Sequence, residues 1–155
     1  MNQLVYKDFE AFRKLEGEQL PVGDWIMITQ DMINTFADVT QDFQWVHVDV
    51  ERARKESPFK KTIAHGFLSI SLLSKMLMDL ITVESAVMGF NYGLNKVRFP
   101  HPVMVDSRLR LHSSVTKIEE YADNGLKITW DCTLEIEGIE KPACVAEFVS
   151  LMFEG

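Results

Sequence analysis

Cysteine is scarce in this chain, and basic residues, 16 against 23 acidic, are outnumbered. Its two cysteines, Cys132 and Cys144, form no CxxC pair and no Cys/His metal spacing. Two are also too few to staple a chain of 155 residues, so a disulfide scaffold and a zinc ribbon are excluded. Both are expected as small core residues. The formal net charge is −7, with no Lys/Arg-rich run. A nucleic-acid binder needs a basic stripe to neutralise phosphates, so no nucleic-acid partner is expected. The first residues lack the basic start and apolar stretch of a secretory signal, which points to the cytoplasm. The most apolar stretch, 66–83, carries Lys75, Asp79 and several serines, which argues against a membrane span. No Gly-rich phosphate loop, G-x-S-x-G elbow or H-E-x-x-H pair occurs, against nucleotide-loop, serine-hydrolase and zincin chemistry. Repeats, low-complexity tracts and linkers are also missing, and the five prolines are dispersed. One domain over 1–155 is expected, with 1–23 as an N-terminal extension or short helix.

What is present is the usage of a soluble globular protein, 46% hydrophobic and 25% charged residues, at a length that buries one sizeable core. Phe9, Phe12 and Leu15 among charges suit a short amphipathic helix ending near Gly17. Met32, Ile33, Phe36 and Ala37 stand at helical spacing, with Thr29 or Asp31 as N-cap. The segment from Thr40 to Asp49 has neither period and reads as an ordered loop. Val50 to Glu56 reads as a short helix stopped by Pro58. From Gly66 to Val83 apolar residues fall nearly all round a helix, so that helix is expected to be buried on most sides, with Lys75 and Asp79 sharing one wetted strip.

Beyond it the period becomes two. Leu126, Ile128, Trp130, Cys132, Leu134 and Ile136 alternate with polar residues, as in an antiparallel strand with one buried face. Arg108 to Lys117 alternates likewise, Asp123-Asn124-Gly125 signals a hairpin turn, and Ala143 to Phe153 reads as a further strand, apolar on both faces. The result is an α+β domain, most simply an antiparallel sheet wrapped around the long helix, about residues 66–83.

Chemistry concentrates before that helix. Asp42 and His47 lie five residues apart in a loop that lets both side chains turn toward one pocket, where a carboxylate and an imidazole can hold a water and move its proton. The spacing is common by chance, and a loop carboxylate beside a capping histidine accounts for it equally. Gly66 has its N–H among the unpaired donors at a helix start and admits close approach of a carbonyl, while His65 suits an orienting role in that turn. Ser74 on the helix could bond a carboxylate or water, or bond back to the preceding turn. His112 falls on a polar strand face and His101 in a turn between prolines.

The order Phe36-Ala37-(x2)-Thr40-Gln41-Asp42-(x4)-His47-Val48-Asp49, followed by Thr62-Ile63-Ala64-His65-Gly66-Phe67-Leu68, resembles the hydratase signature of MaoC-like proteins. The Gln44-Trp45-Val46-His47 variant and the run from Asn91 to Pro100 are similar to the branch containing nodulation protein N and (R)-specific enoyl-CoA hydratases. The resemblance runs from about Asp24 to the end. It implies a hot-dog fold, usually a homodimer, and syn addition of water to trans-2-enoyl thioesters of coenzyme A or acyl carrier protein, giving (R)-3-hydroxyacyl thioesters. By position, Asp42 and His47 would be catalytic, Gly66 would offer its N–H to the thioester oxygen, and Gln44, His65 and Ser74 would support them. Trp45, Phe67 and Asn95 are candidates for the substrate pocket. No metal or redox cofactor is implied; coenzyme A enters as part of the substrate, with Lys60, Lys61, Lys96 and Arg98 as local positive charge against the acidic field. Many relatives carry Asn-Pro where this chain has Gln44-Trp45, and the indole adds bulk beside the site. A non-catalytic acyl-binding protein and a hot-dog thioesterase are the alternatives.

Overall fold

The computed structural model describes residues 3–155. Four long antiparallel strands and one two-residue edge make the main sheet. They are β2 (Ile26–Met27), β4 (Ala86–Arg98), β5 (Arg108–Tyr121), β6 (Gly125–Ile136) and β7 (Ile139–Glu154), in the order β2-β5-β6-β7-β4. The alternation read from the sequence is observed. Leu126, Ile128, Trp130, Cys132, Leu134 and Ile136 face inward, and so do Leu109 and Leu111, all at 3% exposure or less. Against them lies a helix in two parts, α5 (Gly66–Ser71) and α6 (Leu73–Leu80), which contributes Leu68, Leu73, Met76, Leu77 and Leu80 to the same core. A sheet that curls round a buried helix is the hot-dog arrangement expected.

The helix is shorter than expected. Leu72 interrupts it, bonding back to Ser69 in a tighter turn while keeping right-handed dihedrals. It then ends at Leu80, because Ile81–Val83 forms strand β3, paired in parallel with β1 (Leu4–Tyr6). All three residues, Ile81, Thr82 and Val83, are β-branched, which favours the extended chain once a partner strand is available. Lys75 and Asp79 do pair on the exposed strip.

The N-terminal segment is built into this core. After β1, α1 (Phe9–Phe12) and a 3-10 turn (Arg13–Leu15) bury Phe9, Phe12 and Leu15, and Gly17 closes the turn at φ +84°. The Phe12 ring, fully buried, meets Tyr6 edge-on at 5.7 Å and Trp130 at 6.2 Å.

Two hairpin details differ from expectation. In the β5–β6 hairpin the left-handed residue is Ala122, at φ 54°, and Gly125 is already in the strand. Gly125 is needed there for space: a Cβ would stand 2.4 Å from the Tyr121 carbonyl oxygen and 2.8 Å from the Phe153 ring. Strand β7 begins at Ile139, directly after Gly138 at φ +74°, so the final hairpin is tighter than the alternation alone indicated.

Strand β4 carries no sequence period that marks it, and the structure supplies the reason. It is an edge strand, paired only with β7, and almost every residue along it is exposed on both faces. Without one buried face there is no alternation to read.

Candidate active site

Helix α2 (Gln30–Thr40) starts on its Thr29 cap, whose side chain accepts the Met32 N–H, and stops at Gln41, which adopts the left-handed conformation at φ 60°. That reversal throws Asp42 out of the helix line. A short turn follows: the Gln44 N–H donates to Asp42 Oδ1 at 3.4 Å, and α3 (Trp45–Val48) begins. The sequence reading had this stretch as loop throughout. The single turn of α3 turns His47 inward, where it is 8% exposed. Asp49 then caps α4 (Val50–Glu56), as its side chain accepts the Arg52 N–H.

Residues 62–65 form the other wall, running beside α3. Ile63 donates its N–H to the Val46 carbonyl, and the Ile63 carbonyl lies 2.6 Å from His47 Nδ1. A carbonyl only accepts, so Nδ1 carries the proton and Nε2 keeps its lone pair. Gln30 fixes the arrangement from behind: its amide donates to the His47 carbonyl and its oxygen accepts the hydroxyl of Thr62, itself 1% exposed. Neither Gln30 nor Thr62 was expected as a site residue: Gln30 is a polar residue at a helix start with no periodic signal, and Thr62, although it opens the quoted signature, carries no pattern that points to the partner of its hydroxyl.

His65 stands beneath both. Its Nε2 is 3.0 Å from the Asp42 main-chain oxygen and 3.9 Å from Asp42 Oδ2. Its ring stacks on that of His47, centroids 3.8 Å apart and planes inclined at 26°, with Phe36 on a further side at 5.1 Å. Asp42 itself is 54% exposed on its side chain and faces solvent. Donor atoms of Asp42, His47 and His65 come within 4.8 Å of one another. These residue types could ligate a metal. The His65 Nε2–H, however, is donated to the Asp42 carbonyl, so that nitrogen offers a metal no lone pair unless this bond is given up.

Burial is the largest influence on His47 and pushes its pKa below the usual 6.5; the Ile63 carbonyl opposes it, His65 adds to it, and Asp42 opposes it. The result is a neutral imidazole beside a carboxylate at neutral pH.

Gly66 opens α5 next to His65, and no acceptor among the described residues takes its N–H. The Phe99 ring lies against it so closely that a Cβ would meet that ring at 3.1 Å. Phe67 points outward, 70% exposed, with its ring 6.1 Å from that of Phe99. Trp45 is half-buried under the Arg52 guanidinium, 4.5 Å from the ring centroid.

The remaining expected site residues lie apart from Asp42. Ser74 donates to Asn91 Oδ1 at 2.8 Å and lines an apolar cavity of about 140 Å³ with Leu77, Met78, Phe90, Trp130 and Phe148. Asn95 donates to Glu147 and borders a different, polar groove with Lys117, Glu119 and Lys127, because it sits at a register shift between Leu94 and Lys96 where β4 pairs with β7. His112, expected on an exposed face, is paired with Glu135 at 2.5 Å and partly covered.

A curled antiparallel sheet round a split helix, with an acid–imidazole pair at the helix start, defines a hot-dog protein with the makings of an acid–base site. The MaoC like domain model matches residues 12–132, and the chain belongs to that family. It is 48% identical over 133 residues to "3-hydroxyacyl-thioester dehydratase Z" of Mycobacterium tuberculosis, covering 86% of this chain and 87% of that one. It is 41% identical over 137 residues to "Nodulation protein N" of Rhizobium leguminosarum bv. viciae, covering 88% and 85%. Among solved structures it is similar to the monoamine oxidase regulatory protein of "Archaeoglobus fulgius", with a TM-score of 0.76 over 100% of this chain and 99% of that one, at 24% identity.

Proposed function

We infer that this protein is an (R)-specific hydratase/dehydratase that adds water to trans-2-enoyl thioesters and, in reverse, dehydrates (R)-3-hydroxyacyl thioesters. The observation that carries the reading is the fixed His47 tautomer. With Nδ1–H held by Ile63, the basic Nε2 is left for a water that Asp42 also binds. The relative named as a 3-hydroxyacyl-thioester dehydratase, 48% identical, supports the same chemistry.

In the forward direction Asp42 and His47 hold the water and remove its proton as the oxygen bonds to the β-carbon. The electron pair of the double bond moves toward the thioester carbonyl, whose oxygen takes up negative charge. The Gly66 N–H stabilises that charge. The proton taken from water then passes to the α-carbon, so one water is consumed and the pair regains its starting state. Such an addition calls for one base, one acid and one oxyanion donor. Side-chain and main-chain groups suffice, and no metal or redox cofactor forms part of this reading.

The acyl chain has a candidate berth in the apolar cavity beside Ser74, which lies along the helix from Gly66 by roughly 12 Å at the helical rise. The carrier is coenzyme A or acyl carrier protein. We propose a homodimer joined along β4, supported by its unpaired outer edge and the exposed Val87, Phe90, Tyr92 and Leu94. No helix among the described residues is long and apolar enough to cross a membrane. Two buried free thiols fit the reducing cytoplasm proposed as its location.

A thioesterase on the same fold would release free thiol. Purified protein with crotonyl-CoA, followed simultaneously by enoyl absorbance and a thiol reagent, separates the two. Loss of absorbance without thiol supports hydration; thiol release at the same rate overturns it.

A further inference from the structure

We propose that His65 is a positioning residue that holds both members of the catalytic pair at once, Asp42 through its main chain and His47 through its ring. The inference rests on the hydratase reading above and deepens it. His65 is 3% exposed, so its contacts are permanent features of the fold. Because the Asp42 carbonyl only accepts, the His65 proton sits on Nε2 and is donated there at 3.0 Å. That bond falls one residue beyond the left-handed Gln41, where the chain leaves α2 and has little else to fix it. The carboxylate of Asp42 is mostly exposed, so its direction depends on where the main chain is held.

The opposite role is played by the ring face. His47 is fixed at one edge by Ile63, and a single hydrogen bond leaves the imidazole free to rock about it. Stacking at 3.8 Å on His65, which is itself backed by Phe36, removes that freedom. The other His65 nitrogen, Nδ1, is buried with no hydrogen-bond partner among the described residues. A buried polar atom is thus left unmatched. A residue chosen only to start a helix has no need of that arrangement, since Ser, Thr, Asp or Asn would cap α5 with a side-chain hydrogen bond that His65 does not make.

Two variants separate the two contacts. His65→Gln keeps an amide donor for the Asp42 carbonyl and removes the ring. His65→Phe keeps the ring under His47 and removes the donor. Each is assayed as the full chain with crotonyl-CoA beside wild type and Asp42→Asn, with unfolding midpoints measured for all. Misplacing the pair lowers kcat by roughly tenfold or more in both variants while KM changes by less than about threefold, since neither contact touches substrate. In His65→Gln the acid limb of kcat, set by His47, also moves to higher pH, because the covering ring and part of the burial are gone; in His65→Phe, which keeps a ring over His47, the limb moves less. A purely structural role would lower the unfolding midpoint without moving the limb. Both variants turning over at the wild-type rate with the wild-type pH profile, while Asp42→Asn is inactive, overturns the inference and leaves the hydratase reading intact. Wild type without hydration overturns the hydratase reading itself. If one variant does not fold, the kcat-against-KM split and limb position of the other decide.

Discussion

His47 and His65 lie face to face, ring centroids 3.8 Å apart, although eighteen positions of chain separate them. Each ring has a proton placed by a backbone carbonyl, Ile63 for His47 Nδ1 and Asp42 for His65 Nε2. The proposed base is thereby tied to the turn that carries its partner carboxylate, and the behaviour expected of the site with pH follows from that tie.

Burial holds His47 below its ordinary pKa of 6.5. As the base it must be neutral, so turnover persists as pH falls through 6.5 and declines only at lower pH. Stability moves in the same sense. Near pH 6.5 the unfolded chain binds the proton that folded His47 refuses, so the folded state loses stability as pH falls from about 6.5 toward the folded pKa, and regains it above. Rate profiles of kcat against pH, with ring-proton chemical shifts for His47, check this; a His47 titration at or above 6.5 contradicts it.

Trp45 is the first residue of α3, and Gln44 before it has φ −54° and ψ 130°. Proline is tolerated at a first helical position, and these dihedrals suit a residue preceding proline. Trp45→Pro is therefore expected to fold with a stability change within about 1 kcal/mol. It releases Arg52 from the indole and opens space beside the site, so the ratio of rates on long and short 2-enoyl-CoA substrates should rise. A series of chain lengths with an unchanged rate profile would show that the indole does not bound the pocket.

The N-terminal segment is expected to act as part of the core. Phe12→Ala removes a fully buried ring between Tyr6 and Trp130 and should cost about 3–5 kcal/mol in denaturant unfolding. A loss below about 1 kcal/mol contradicts this placement. The same unfolding experiment reads the thiols: burial pushes Cys132 up to about 12 and Cys144 to about 11, so neither should react with a thiol reagent until the chain unfolds.

Much of this was legible in the sequence for physical reasons. Strand β6 has one face in the core, so its alternation from Leu126 to Ile136 follows from burial, and α2 announced itself by spacing and by Thr29. The order of Asp42, His47 and His65-Gly66 singled out positions that the structure brings near one another. What was not legible depends on tertiary partners. The pairing of Ile81–Val83 with Leu4–Tyr6 is decided by a strand some seventy-five residues earlier. Strand β4 has no buried face. Gln30, Thr62 and the Ile63 carbonyl act through contacts that no local pattern encodes, and the Ser74 hydroxyl found Asn91, where the resemblance implied the catalytic carboxylate.

A dimer joined along β4 predicts that charge on its edge separates the subunits. Tyr92→Lys with Leu94→Lys should shift the mass measured by light scattering from two chains to one, with the circular dichroism spectrum unchanged. Wild type that runs as a single chain at micromolar concentration, or a double variant that stays dimeric, contradicts the proposed interface.

The central claim, that Asp42 and His47 together hydrate an enoyl thioester, is tested most directly by the enoyl absorbance of crotonyl-CoA and a longer 2-enoyl-CoA with wild type, Asp42→Asn and His47→Gln. Wild type should consume the absorbance, and each variant should be slower by roughly a hundredfold or more, with unfolding midpoints near that of wild type. Variants that hydrate at the wild-type rate would contradict the account.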